Sequence, residues 1–189
     1  MEHAHQSETF AGGPAINAPA GGLAADKNLS MAADLLKQGR GAEAKALIMA
    51  ALASDPNSVP ALELLGRFYM AGKDARQAVS AHRRLLEQAP SDPKSYNALG
   101  TSLVVAGQTE EALDYLRQAV ALAPRNHIYQ ANLAKAHMML EQWEAAIAHL
   151  EKACQFSQGE ARAQFMALKD MCRNQMLENA LWGKRRDQA

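Results

Sequence analysis

The chain is poor in aromatic residues, in β-branched residues and in long apolar runs. Aromatic residues make up 5% of its 189 residues, although hydrophobic residues make up 48%, with alanine abundant. Such a composition favours helices over sheets. No apolar run approaches the roughly 18 residues that cross a bilayer, so the sequence predicts no membrane insertion.

Charge of one sign is also missing, because 20 Lys and Arg residues balance 20 Asp and Glu residues. A neutral chain gives no electrostatic reason to expect nucleic acid or an anionic membrane as a partner. The first ten residues, MEHAHQSETF, have neither a basic segment nor an apolar stretch typical of a secretory signal. The sequence therefore predicts a soluble, cytoplasmic protein.

Sequence patterns that carry catalysis or metal binding are lacking as well. There is no HExxH, no glycine-rich phosphate loop, no GxSxG and no acidic cluster with metal-ligand spacing. Cys154 and Cys172 lie outside any CxxC motif and are interpreted as reduced packing thiols. His137 and His149 fall on different predicted helices of one region, where a structural role is favoured. We expect no catalytic site, cofactor or metal.

What the chain does have is a repeat. Pro56, Pro90 and Pro124 are equally spaced, and their period of about 34 residues is typical of a solenoid of stacked helical units. The repeat boundaries fall near 25–58, 59–92, 93–126 and 127–158. Each unit is predicted to contain two helices of roughly 14 residues joined by a short turn.

Two columns of small residues recur in these units. The first column consists of Ala32, Gly66, Gly100 and Ala134. The second column consists of Ala44, Ala78, Ala112 and Ala146. Glycine inside a helix costs about 1 kcal/mol relative to alanine. We infer that close packing of the paired helices outweighs this cost.

Turn and capping residues support the same division. Three glycines are expected to end first helices at positive φ: Gly39, Gly72 and Gly107. Asp92 and Pro93 are predicted as the N-cap and first residue of a helix in the third unit. Asp74 and Gln77 are predicted to form a capping box in the second unit.

The third unit reads Tyr96-x2-Leu99-Gly100-x2-Leu103 and continues with Ala112, Leu116, Ala119 and Pro124. This pattern resembles the tetratricopeptide repeat, W-x2-L-G-x2-Y followed by Ala, Phe, Ala and Pro columns over about 34 residues. The resemblance covers about 25–158 and implies an all-α fold, a right-handed α-solenoid of about four helix-turn-helix repeats. His82 stands where the family usually has an aromatic residue, and it is expected to be a satisfied, partly buried histidine.

The segments on both sides of the array differ from the repeats. Residues 1–24 are rich in Ala, Gly and Pro and are predicted to be a disordered tail. Residues 160–182 are predicted to form an amphipathic helix that resembles the capping helix of such arrays, and 183–189 is predicted to be a flexible basic tail. An alternative for the helix is a methionine-rich stripe that binds a partner, formed by Met166, Met171, Met176 and Trp182.

In the family, the exposed faces of the first helices line a concave groove. Carried over to this chain, they give these candidate peptide-binding residues: Arg67, Met70, Lys94, Asn97, Thr101, Val104, Asn132, Lys135 and Met138. Their cations, amides and apolar side chains predict a peptide with acidic and apolar residues. The leading hypothesis is a protein–protein interaction adaptor. The alternatives are an export or secretion chaperone, a self-assembling homo-oligomeric scaffold, and an accessory module of an enzyme complex.

Overall fold

The structure is a computed structural model that describes the backbone of residues 22–186 and the side chains of residues 26–181. Residues 1–21 of the expected tail and residues 187–189 lie outside the described residues. The described part is helical, without strands. Its helices are α1 (Gly22–Lys37), α2 (Gly41–Ser54), α3 (Val59–Ala71), α4 (Ala75–Gln88), α5 (Pro93–Val105), α6 (Thr109–Leu122), α7 (His127–Met139), α8 (Trp143–Gln155) and α9 (Gly159–Arg186).

Each helix packs against the next one along the chain, and the first helices of successive units also touch one another, as α1 with α3, α3 with α5, and α5 with α7. Helices α3, α5 and α7 begin at Val59, Pro93 and His127, which are the predicted unit boundaries. The second helices begin at equal intervals, at Gly41, Ala75, Thr109 and Trp143. The predicted all-α solenoid is confirmed.

The columns of small residues lie where paired helices meet. All four alanines of the second column are 0% exposed. A Cβ atom built on Gly100 would lie 2.6 Å from Leu116 Cγ of the facing helix. A Cβ atom on Gly66 would overlap Nε2 of His82. In both units the second helix therefore occupies the space that a side chain would need.

The left-handed residue of each turn recurs at a fixed position of the repeat, whereas glycine does not always occupy that position. Gly39 and Gly107 adopt φ of 76° and 79°, as predicted. The prediction for Gly72 is wrong, because this residue has a φ of −78°. The left-handed residues of the other two turns are Lys73, with φ 59°, and Glu141, with φ 56°. These two residues share the register of Gly39 and Gly107, whereas Gly72 comes one position early.

Side-chain caps fix the starts of several helices. Asp92 Oδ1 accepts a hydrogen bond from the Lys94 backbone N–H at 3.0 Å, with proline at the start of α5. Asp74 Oδ1 accepts from the Gln77 N–H at 3.2 Å. The described residues show no return bond from the Gln77 side chain, so only half of the predicted capping box forms. Asn126 caps α7 in the same way, accepting from Ile128 N at 2.9 Å.

Helix α9 has 28 residues, about twice the length of α8, against which it packs. Phe165 and Cys172 are buried in this contact, and Cys172 and Cys154 are both free thiols. From residue 173 to residue 181 no side chain is buried. Among the described helices, none is long and apolar enough to span a membrane.

The proposed methionine stripe of α9 does not form a single face. Met166 and Met171 are exposed by 47% and 49%, whereas Met176 is half-buried. A spacing of five residues turns successive side chains by about 140° around a helix, so the three methionines point in different directions. The side chain of Trp182 lies outside the described residues.

Candidate functional site

The candidate site is a cavity of about 420 Å³ on the side of the array formed by the first helices. It lies between α3, α5 and the start of α7, with α4 beneath it. We call it the central groove and define it by Val59, Met70, Lys94, Thr101 and Tyr129. Its volume falls within the range of about 300–1,000 Å³ that is usual for ligand sites.

Five of the nine sequence-predicted site residues line the central groove. They are Arg67, Met70, Lys94, Asn97 and Thr101. The two cations are exposed. Among the described residues neither has a carboxylate within 4.0 Å. Their charges are therefore available to a ligand.

The other four predicted residues do not line this cavity. Val104 and Met138 are half-buried against the apolar clusters of the third and fourth units. Lys135 is exposed. Asn132 lies beside the groove, because its Nδ2 donates a hydrogen bond to Asn97 Oδ1 at 2.8 Å.

The Asn97–Asn132 bond joins the first helices of the third and fourth units. It uses one donor of Asn132 and the carbonyl oxygen of Asn97. The NH₂ group of Asn97 and the carbonyl oxygen of Asn132 have no hydrogen-bond partner among the described residues. This pair of groups matches the acceptor and donor of a peptide unit.

Several further residues of the groove were missed by the sequence reasoning, three of them polar residues at helix starts. Asp92, Ser95 and Tyr129 line the cavity at the starts of α5 and α7. Ser95 is 0% exposed and Tyr129 is 7% exposed, so neither belongs to an obviously exposed helix face. The signal that could have found two of them is the period itself, since Ser95 and Tyr129 occupy the same position in successive units.

The groove also holds carboxylates. Glu63 and Asp92 line it together with Tyr129. Burial raises the pKa of the Tyr129 hydroxyl, and the negative charges of Asp92 and Glu63 raise it further. Glu63 and Asp92 therefore bring negative charge to the groove, and Arg67 and Lys94 bring positive charge to the same cavity.

His82 closes the floor of the groove and is 3% exposed. Its Nδ1 lies 2.7 Å from Ser102 Oγ, which in turn donates to the Ala98 carbonyl oxygen at 3.0 Å. Its Nε2 faces Gly66 and has no hydrogen-bond partner. Burial lowers the pKa of His82 to about 4, so the ring is neutral. The residue packs against a helix, and only one of its two nitrogens is satisfied.

A second histidine cluster lies in the fourth unit. The rings of His137 and His149 stack with centroids 5.6 Å apart and planes 5° from parallel. His137 Nδ1 donates to Gln142 Oε1 at 2.6 Å, and His149 Nδ1 donates to Gln130 Oε1 at 2.8 Å. Burial, followed by the charge of His137, lowers the pKa of His149 to about 4. In the described part of the chain, no three His, Cys, Asp or Glu side chains group to hold a metal ion.

Solved structures similar to this chain share its solenoid. TTC0263, a thermophilic TPR protein of Thermus thermophilus, aligns with a TM-score of 0.66 and 22% identity over 75% of this chain and 80% of its own. MamA from Desulfovibrio magneticus RS-1 aligns with a TM-score of 0.64 and 21% identity over 70% of this chain and 75% of its own.

A Thermobaculum terrenum O-GlcNAc transferase mutant also aligns, with a TM-score of 0.66 and 24% identity over 71% of this chain. The alignment covers only 26% of the transferase. At these identities the likeness extends to the fold alone. A search of curated proteins found no match to this chain.

Two sequence profiles match the chain, and both are described as tetratricopeptide repeat. One profile matches residues 35–103 and the other matches residues 97–161. Together they span the paired helices from the end of α1 into the start of α9. The chain therefore belongs to the tetratricopeptide repeat family, whose fold supports a general role in protein–protein interaction.

Proposed function

We propose that this protein is an interaction adaptor that holds an extended peptide segment of a partner protein in the central groove. The observation that carries the proposal is that one cavity brings together Arg67, Met70, Lys94, Asn97 and Thr101 from α3 and α5. These residues come from two successive units of the array. They provide apolar contact, amide hydrogen bonding and positive charge within one volume of about 420 Å³.

Each kind of group has a counterpart in a peptide. Half-buried Met70 and 51%-exposed Ile128 offer apolar surface to side chains. The Asn97 NH₂ and the Asn132 carbonyl can bond the two sides of a backbone unit, since an amide both donates and accepts. Arg67 and Lys94 favour an acidic side chain nearby, and arginine can bind it with two parallel hydrogen bonds.

The test is binding of the full chain to an array of labelled nonapeptides of varied sequence, followed by affinity measurements in solution. We expect peptides with acidic and apolar residues to be selected. Arg67→Glu should weaken their binding about tenfold or more, because the variant places like charges together in the groove. Arg76→Glu on α4 reverses another exposed arginine outside the groove and serves as the matched control. Equal affinity of the Arg67→Glu variant and the unmodified protein would exclude the central groove as the peptide-binding site.

The binding data, together with light scattering, separate the adaptor from neighbouring roles. An export or secretion chaperone would bind unfolded segments with little dependence on acidic residues. A self-assembling scaffold would show a mass that rises with concentration in light scattering. The adaptor requires sequence preference in the array and a binding loss confined to groove variants.

A further inference from the structure

One side of the central groove carries four oxygen-bearing side chains, and the exposed Lys94 stands beside them at the start of α5. Glu63 projects from α3, Asp92 and Ser95 stand at the start of α5, and Tyr129 stands at the start of α7. All four side chains are half-buried or buried. We call these four residues the acceptor end, because each can accept a hydrogen bond.

The carboxylates of the acceptor end have no cation of their own. Within the described residues, neither Glu63 nor Asp92 has a Lys, Arg or His nitrogen within 4.0 Å. Arg67 follows Glu63 by one helical turn on α3, yet the two side chains do not pair. Asp92 uses one oxygen for the Lys94 backbone N–H, and its other oxygen has no hydrogen-bond partner among the described residues.

Ser95 provides an independent sign of a missing partner. The residue is 0% exposed, and its Oγ has no hydrogen-bond partner, although a serine hydroxyl can both donate and accept. A buried hydroxyl without a partner is costly. Ser95 lines the same cavity as the two carboxylates, so its unpaired hydroxyl lies in the wall of the acceptor end.

We infer that the acceptor end binds a basic side chain, arginine or lysine, of the peptide that occupies the groove. A guanidinium or ammonium group only donates hydrogen bonds, so it complements a site made of two carboxylates and two hydroxyl oxygens. Charge-assisted bonds of this kind are stronger than neutral ones. The inference rests on the proposed function and adds to it that the partner segment has a basic residue beside its acidic and apolar ones.

The experiment uses the full chain and the peptides selected from the nonapeptide array. Each peptide that contains Arg or Lys is paired with a version that has citrulline or norleucine at that position, and affinities are measured by fluorescence polarisation. We expect the charged version to bind about tenfold more tightly, in line with the loss of one charge-assisted bond. Glu63→Gln and Asp92→Asn should reduce this ratio to near one. Asparagine at residue 92 remains a suitable N-cap.

Glu87→Gln on α4 is the matched control, since it neutralises an exposed glutamate outside the groove. Ser95→Ala gives a second readout. It should reduce the charged-to-neutral ratio about threefold while leaving the melting temperature of the free protein unchanged or raised, because a buried hydroxyl without a partner is removed.

The possible results separate the two proposals. If charged and neutral peptides bind equally, or if Glu63→Gln and Asp92→Asn leave the ratio at tenfold, the basic-residue inference is wrong while the groove remains a peptide site. If no peptide binds, or if binding is indifferent to Arg67→Glu, the proposed function itself fails and the inference fails with it.

Discussion

The second and third units share one backbone arrangement but fill the space between their paired helices with different side chains. In the third unit, Leu116 of α6 fills the space above Gly100 of α5. In the second unit, His82 of α4 fills the space above Gly66 of α3. Both facing residues are buried, Leu116 at 0% and His82 at 3% exposure. The close approach of the two helices therefore depends on the missing Cβ atom and not on the nature of the residue that fills its place.

The two units differ in the free-energy cost of burying the side chain that fills this space. Leu116 contributes only apolar contact, which stabilises the fold when it is buried. His82 brings two ring nitrogens, of which Nδ1 finds Ser102 and Nε2 finds no partner. The stability of the second unit thus depends on pH, and its core includes an unsatisfied polar atom. Neither is true of the Leu116–Gly100 pair in the third unit.

The largest expected effect that distinguishes the two units is acid destabilisation through His82. Its folded pKa is about 4 against an ordinary 6.5, so below pH 6.5 the unfolded chain takes up a proton that the folded chain does not. Stability is therefore lost as pH falls from 6.5 to about 4, by about 3 kcal/mol from this group. His82→Leu, which makes the second unit like the third, should remove this part of the loss. Urea unfolding at pH 7 and pH 4 measures it.

At pH 7 the same variant should be more stable by about 1 kcal/mol, since a buried atom without a partner is removed. His149 remains in the variant, so the part of the stability loss at low pH that is due to His149 remains as well. An unfolding free energy that depends on pH to the same extent with and without His82 would contradict the explanation.

An intermediate effect is expected when a Cβ atom is added at the glycines. Gly100→Ala places that atom 2.6 Å from Leu116 Cγ and 3.3 Å from the Ala112 carbonyl oxygen, and we expect a loss of about 1–2 kcal/mol. Gly66→Ala should cost at least as much, because the added Cβ atom would overlap the His82 ring. Denaturant unfolding of each variant measures the loss.

The control for the glycine variants is a compensating change. Leu116→Ala combined with Gly100→Ala frees the space that the new methyl group needs, so the combined loss should be smaller than the sum of the two single losses. Strict additivity of the two losses would show that Gly100 matters only through helix propensity, and the comparison of the two units would lose its basis.

The smallest effect concerns the turns that connect the paired helices. Lys73 of the second unit holds the left-handed conformation that Gly107 holds in the third. A non-glycine residue is strained there, so Lys73→Gly should stabilise the protein by about 0.5–1 kcal/mol, while Gly107→Ala should destabilise it by about 1 kcal/mol. Thermal unfolding of both variants checks the two signs.

Gly72→Ala is the matched control for the turn variants. Gly72 has a φ of −78°, and the nearest atoms to an added Cβ lie 3.6 Å away or more. This substitution should change stability by less than about 0.5 kcal/mol. A loss as large as that of Gly107→Ala would show that the left-handed column has been assigned to the wrong residue.

The fold could be predicted from the sequence because its signals repeat. Three prolines at equal spacing and two columns of small residues set the register of the four units, and one register predicts the starts of α3, α5 and α7. The prediction of a positive φ at Gly72 was wrong because it relied on residue type and not on the repeat period. The period alone selects Lys73, whose strain is tolerated because the helices on both sides fix the turn.

The central groove was harder to predict, because its lining combines exposed and buried positions. Residues on the exposed helix face, such as Arg67 and Asn97, follow from the family pattern. Ser95 and Tyr129 are buried and still line the cavity, and helical periodicity assigns such positions to the core. Val104 and Met138 show the opposite case, since they lie on the predicted face but are half-buried against neighbouring apolar clusters.

The equal spacing of the second helices has an evolutionary consequence. Because each pair of helices meets mainly its sequence neighbours, the gene can gain or lose the codons of one whole unit without disturbing distant parts of the protein. Duplication of the block for residues 93–126 would extend the surface formed by α3, α5 and α7 by one more helix with the same polar and apolar positions. Longer partners could then be accommodated by copying a module that already folds, with no new packing to evolve.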